Sequence, residues 1–330
     1  MASMFKRARP GVVDKVEARG AASPQALRAW MAGTAPGPSD PANPIPELHR
    51  TLSELSLAAQ GAVDHAVLEA MSALIEDDTL GVPHFPDTPL ALDEELGKPE
   101  PSQRAILRIV ERDPELVRLI WKRATQANFR TGPVSIGQAI TRLGVDELWR
   151  LGVSHALMTV VFQVPGYTTT LDRARRQGLA CAEVASWLAR EPRGPHYIAG
   201  LLHDVGALLV LRSVKTAQRR ERPTTSLVVE LIRRTHAPLG LLAARAWGFG
   251  EEVGQAIAYH HDPRGAPSEH ADMATRIQLA DLAVRSVDPD EPTLDIHRAT
   301  RHTGLGKSDV DQIVRMARVV VERLSEAGRG

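Results

Sequence analysis

Along most of this 330-residue chain, apolar positions return at three- and four-residue spacing, the period of a helix with one buried face. Leu52, Leu55 and Leu57 begin such a series, and Val63, Val67, Leu68 and Met71 continue it. Ile106, Ile109 and Val110, followed by Leu116, Leu119 and Ile120, repeat the pattern. Local chemistry marks the boundaries. Asp113 before Pro114 predicts an N-cap with proline at the first helical position. A further helix is expected from Ser135 to Leu143, stopped by Gly144, with Asp146 capping the next one. In the C-terminal part the predicted helices cover 171–190, 195–211, 224–234, 237–247, 250–261, 270–286 and 308–326. Ser308, followed by Asp309 and Asp311, opens the last of them, with acid at the positive end of the helix dipole. No strand-like alternation of any length interrupts the series, and no fixed-period repeat is visible. The expected fold class is all-α, a multi-helix domain.

The same pattern divides the chain into zones. Residues 1–47 are expected to form a flexible N-terminal segment, since the proline-rich run from Ala35 to Pro46 sustains neither helix nor sheet. A short helix is expected within it near Ser23–Met31. Residues 48–79 read as a helical lead-in, 80–290 as the main domain, and 291–330 as a C-terminal helical tail.

Composition narrows the function classes. Lys plus Arg and Asp plus Glu both number 40, so the formal net charge is zero and no general grip on nucleic acid or anionic membrane is expected. The single cysteine, Cys181, excludes an intramolecular disulfide. It sits in an apolar helical run and reads as a small buried hydrophobe. No run of 18 apolar residues is present, so no membrane span is expected. The basic start lacks an apolar segment behind it, so no secretory signal is expected there and a cytoplasmic location is the expectation.

The candidate chemistry lies in the last zone. His203 and Asp204 stand side by side in an apolar stretch, where charge is costly unless paired or bound to metal. His236 precedes Ala237-Pro238-Leu239-Gly240, and His260 with His261 ends a predicted helix on its apolar face. Asp281 lies on the buried side of its own helix, four residues after Ile277. Imidazole and carboxylate in mixed sets suit Zn, Mn or Fe, and helical bundles build such sites from facing side chains. Each residue alone has a structural explanation. The order His-Asp, His, His-His, Asp is the informative feature.

Three stretches carry a resemblance. Gly200 to Gly206 with its His-Asp pair, His236 to Gly240 with Trp247 beyond, and Ala256 to Pro263 are similar to the HDOD domain, the HD-related output domain of bacterial signalling proteins. Ile109–Leu116 and Ile136–Gly144 are similar to the first helical half of that family. The resemblance spans roughly residues 80–285. It implies an all-helical domain related to HD phosphohydrolases and cyclic-dinucleotide phosphodiesterases, in a family generally regarded as non-enzymatic. It also exposes departures. Gln177 stands where the superfamily's first metal-ligating His is expected, Thr125-Gln126 replaces a usual Asn-Ser, and Arg175 replaces a frequent Trp.

A glutamine carbonyl is a poor ligand beside imidazole and cannot gain charge by losing a proton. A hydrolase needs its metal both to acidify water and to clamp phosphate. The expectation is therefore a non-catalytic regulatory module that binds signalling or regulatory proteins, needs no cofactor, and keeps His203, Asp204, His236, His260, His261 and Asp281 as a vestigial or weak divalent-metal site. Two alternatives stay open. One is a metal-dependent phosphohydrolase acting on a nucleotide or cyclic dinucleotide. The other is nucleotide binding without turnover, with Arg175 and Arg176 meeting phosphate.

Overall fold

In a computed structural model, residues 37–327 are described, apart from 78–79, 83–85, 127–132, 161–163, 165, 218–221 and 290–293. The expected helix near Ser23–Met31 lies outside the described residues. Among the described residues every regular element is helical. In chain order these are α1 (Ile45–Ser56), α2 (Ala62–Glu76), α3 (Asp87–Leu96), α4 (Gln103–Val110), α5 (Pro114–Gln126), α6 (Ile136–Leu143) and α7 (Val145–Val160). Then follow α8 (Thr168–Ala189), α9 (Pro195–Leu202), α10 (Val205–Ala217), α11 (Thr225–Ala246), α12 (Glu251–Ala258), α13 (Ala271–Val287), α14 (Ile296–Ala299) and α15 (Lys307–Ala327).

The start signals act as their chemistry dictates. Asp113 Oδ1 accepts from the Glu115 and Leu116 amides at 3.1 and 3.0 Å, which fixes the first turn of α5. Ser135 Oγ accepts from the Gln138 amide at 3.1 Å, and Gly144 ends α6 at a φ of 81° that a side chain would resist. Asp146 does not cap α7. The helix starts one residue earlier, so Asp146 lies in its first turn.

Two predicted boundaries are displaced. The expected helix 195–211 is interrupted at His203-Asp204, giving α9 and α10. Conversely, the predicted 224–234 and 237–247 are one continuous helix, α11, with Pro238 inside it. Close packing accounts for the continuity. A Cβ at Gly206 would collide with the His236 carbonyl oxygen and lie 2.9 Å from the Gly240 amide, so α10 and α11 approach backbone to backbone at the proline. Leu57, read as part of an apolar face, is instead 89% exposed beyond α1.

The C-terminal half holds the long helices. α8 packs against α9, α13 and α15, while α11 packs against α10 and α12. α3, α5, α6 and α7 form the other half and join the same continuous apolar core. α15 buries Val310, Ile313, Ala317 and Val320, so the expected tail shares that core. The stretch Pro195–Ala217 has the length and composition of a membrane span, yet 83% of its most apolar window is buried inside the domain. Residues 37–44 carry no helix, as the prolines require, but they lie against the domain. Tyr259 Oη donates to the Pro38 carbonyl at 2.6 Å, and Gln255 Nε2 donates to that of Pro41 at 2.9 Å. Arg245 donates to the Pro41 and Ala42 carbonyls at 2.8 and 2.9 Å.

Candidate metal centre

The break between α9 and α10 is what presents the His-Asp pair. His203 closes α9 with its Nδ1 against the Gly200 carbonyl at 2.8 Å, and Asp204 leads into α10. The pair therefore sits at a helix junction and not inside one helix. His236 projects from the middle of α11, with Nδ1 2.8 Å from the Ile232 carbonyl. His260 and His261 follow α12, and His260 Nδ1 lies 2.7 Å from the Ile257 carbonyl. A carbonyl only accepts, so each of these three rings carries a proton on Nδ1 and turns Nε2 inward. From α13, Gln278 Nε2 donates to the His261 carbonyl at 2.9 Å and steadies the histidine pair.

Asp204 is the hub. Its Oδ2 is 3.4 Å from His203 Nε2, and its Oδ1 is 3.7 Å from both His236 Nε2 and His260 Nε2. Asp281 reaches the same ring, with Oδ1 3.6 Å from His203 Nε2, and is held from behind by Arg285 at 3.5 Å. His236 Nε2 and His261 Nε2 are 3.0 Å apart. The structure thus brings together all six residues picked from sequence. It also divides them.

Charge separates the two groups. Burial presses the His203 pKa down, but the adjacent Asp204, helped by Cys181 and Asp281, outweighs it and leaves it well above the usual histidine value. Burial raises the Asp204 carboxyl, and the charge and hydrogen bond of His203 beside it more than reverse this, so it stays ionised. Asp281 is likewise held below its usual value, burial being outweighed by Arg285 and His203. The other rings move the opposite way. Burial lowers His236, and burial with neighbouring imidazoles lowers His260 to about 4 and His261 well below its normal value. His203 is therefore a cation between two carboxylates, while His236, His260 and His261 are neutral donors near pH 7.

Asp204, His236, His260 and His261 each offer one ligand atom, and these atoms all lie within 4.8 Å of one another. His260 Nε2 is buried with no hydrogen-bond partner among the described residues, an uncommon state for a polar atom. Three neutral imidazoles and one carboxylate, with the His236 and His260 rings oriented by backbone carbonyls, form a donor set that suits a first-row divalent ion. His203 and Asp281 fall outside that set. Gln177 is 5% exposed, and both polar atoms of its amide lack a partner among the described residues.

Sequence reasoning missed two contributors. Arg285 could have been found from its i, i+4 spacing to Asp281 on α13. Cys181 was assigned to the core and is fully buried there, but it also neighbours His203, which no sequence spacing discloses.

The sequence profile of the HDOD domain matches residues 82–263, more than half of the chain. The chain belongs to the HDOD domain family. Among similar solved structures, a Shewanella amazonensis protein described as a metal-dependent phosphohydrolase superposes with a TM-score of 0.55 at 18% identity, covering 78% of this chain and 99% of that one. A Marinobacter aquaeolei protein described as a signal transduction protein gives 0.54 at 23% identity, covering 81% of this chain and 66% of that one. At such identities these likenesses establish the fold. A Treponema pallidum protein is 23% identical over 241 residues, which is 69% of this chain and 47% of that protein's length. The HDOD match ends before α13, so Asp281 and Arg285 lie beyond it.

Proposed function

We propose that this HDOD protein is a non-catalytic signal-transduction module that binds partner proteins, and that its cleft has room for one divalent ion, held by Asp204, His236, His260 and His261. The observation that carries this is the division of the cleft. The side where the superfamily resemblance places a first ligand has Gln177, and its His203 is already engaged as a cation by Asp204 and Asp281. The other side offers Asp204, His236, His260 and His261. An ion bound there would act as a Lewis acid toward a bound oxygen. The protein's own residues would use it as a staple, because the four ligands come from the α9–α10 junction, α11 and the end of α12. Ligand binding that joins separate helices is linked to folding and to the balance between conformations.

The competing reading is a metal-dependent phosphohydrolase acting on nucleotides or cyclic dinucleotides, and the assembled histidines speak for it. Fold kinship does not transfer activity, however, and hydrolysis asks for a water-activating centre together with a phosphate clamp. Incubating the full chain with nucleoside phosphates and cyclic dinucleotides, with added Mn or Fe, distinguishes the two. No product is expected. Turnover abolished by His260→Gln would contradict the proposal.

A further inference from the structure

α8 and α13 run antiparallel and present facing residues rung by rung. At one end Arg173 pairs with Asp288 at 2.9 Å, and eight residues further along α8 Cys181 Sγ approaches the Ile277 carbonyl at 3.9 Å. Gln177 lies midway on α8 and lines the same pocket as Val284 of α13. Over the outer rungs α15 leans across both helices and encloses a cavity of about 330 Å³. Its apolar walls include Ala180, Val284, Val321 and Leu324; its polar lining is Arg176, Gln177, Ser325 and the Arg173–Asp288 pair, in which the carboxylate is already matched by a guanidinium. The volume sits at the lower end of small-molecule pockets. α13 and α15 lie outside the residues of the HDOD match.

The polar groups are graded by depth. Gln177 is buried, and neither polar atom of its amide has a partner among the described residues. Arg176 is exposed. A buried amide without partners costs free energy that a complementary ligand would recover. A glutamine side chain presents an acceptor and a donor side by side, the complement of a nucleobase edge. Aliphatic walls suit the flat face of such a ring, and a guanidinium at the mouth suits phosphate.

We infer that the cavity between α8, α13 and α15 binds one nucleoside monophosphate, with the base directed inward to Gln177 and the phosphate outward to Arg176. The inference is independent of any metal in the histidine cleft.

Calorimetric titration of the full chain with AMP, GMP, adenosine and inorganic phosphate tests it. One of the two monophosphates is expected to bind, with adenosine and phosphate each weaker by about tenfold or more. Arg176→Ala, at an exposed position that leaves the core intact, and Gln177→Leu are each expected to weaken binding by about tenfold. Leu324→Trp, which fills the cavity, should abolish it, and His260→Gln should leave it unchanged. The inference fails if neither monophosphate binds, or if phosphate alone binds as well as the nucleotide. It also fails if Arg176→Ala and Leu324→Trp leave affinity intact, or if His260→Gln removes binding and so moves the nucleotide into the histidine cleft.

Discussion

The two sides of the cleft share one carboxylate and differ in almost everything else. On the acid side His203 lies between Asp204 and Asp281, with Arg285 behind, so each charge faces its opposite. On the histidine side three rings turn Nε2 toward the common centre, and that of His260 finds no hydrogen bond among the described residues. A charge network that neutralises itself needs no ligand to be stable. A set of neutral donors crowded around one carboxylate gains most when a cation joins it. Under the proposed function the cleft divides into a structural half and a receptive half.

Asp204→Ala should have the largest effect, since it removes the residue common to both halves. It should destabilise the domain by about 1–3 kcal/mol, the scale for stranding buried polar partners. Metal-dependent stabilisation should disappear with it. An unchanged melting curve, with or without Zn or Mn, would break the comparison at its hub.

The asymmetry itself is tested by pairing His260→Gln with Asp281→Asn. Replacing a ligand outright should cost more metal affinity than the roughly 10–100-fold lost when only an outer partner is removed. Asp281→Asn should leave metal affinity within a few-fold of the parent, while lowering thermal stability through loss of the His203 and Arg285 contacts. Equal losses of affinity in the two variants, measured by calorimetric titration, would show that the halves are one site.

How much of this was legible in sequence depends on what sets each feature. The cap at Asp113 is local chemistry, readable from two residues, whereas Asp146, which offers the same signal, falls inside the first turn of α7. The apolar period runs unbroken through 195–211, so nothing local announces the break at His203 that exposes the pair. Pro238 gives the opposite error. A helix breaker by rule, it is carried through α11 where Gly206 lets α10 come within backbone contact. The order of histidines and aspartates named all six site residues. Their division did not show, because it depends on which ring nitrogen meets a carbonyl and which carboxylate meets a cation. Docking of residues 37–44 was equally hidden, since prolines that exclude helix say nothing about what their carbonyls will contact.

That docking gives the smallest prediction. Tyr259 precedes the histidine pair and holds Pro38, so Tyr259→Phe should cost about 1 kcal/mol, the usual net worth of one hydrogen bond. Cleavage near residues 37–44 in limited proteolysis should become faster, with metal affinity unaltered. A large loss of metal affinity would instead mean that this segment helps to shape the receptive half.

Ion stoichiometry tests the central claim most directly. The full chain would be loaded with Zn or Mn, freed of excess by gel filtration, and its metal counted by mass spectrometry alongside His260→Gln. A single ion per chain in the parent, and none retained by the variant, is the predicted result. Two ions per chain would contradict the closed acid half, and none in the parent would contradict the receptive one.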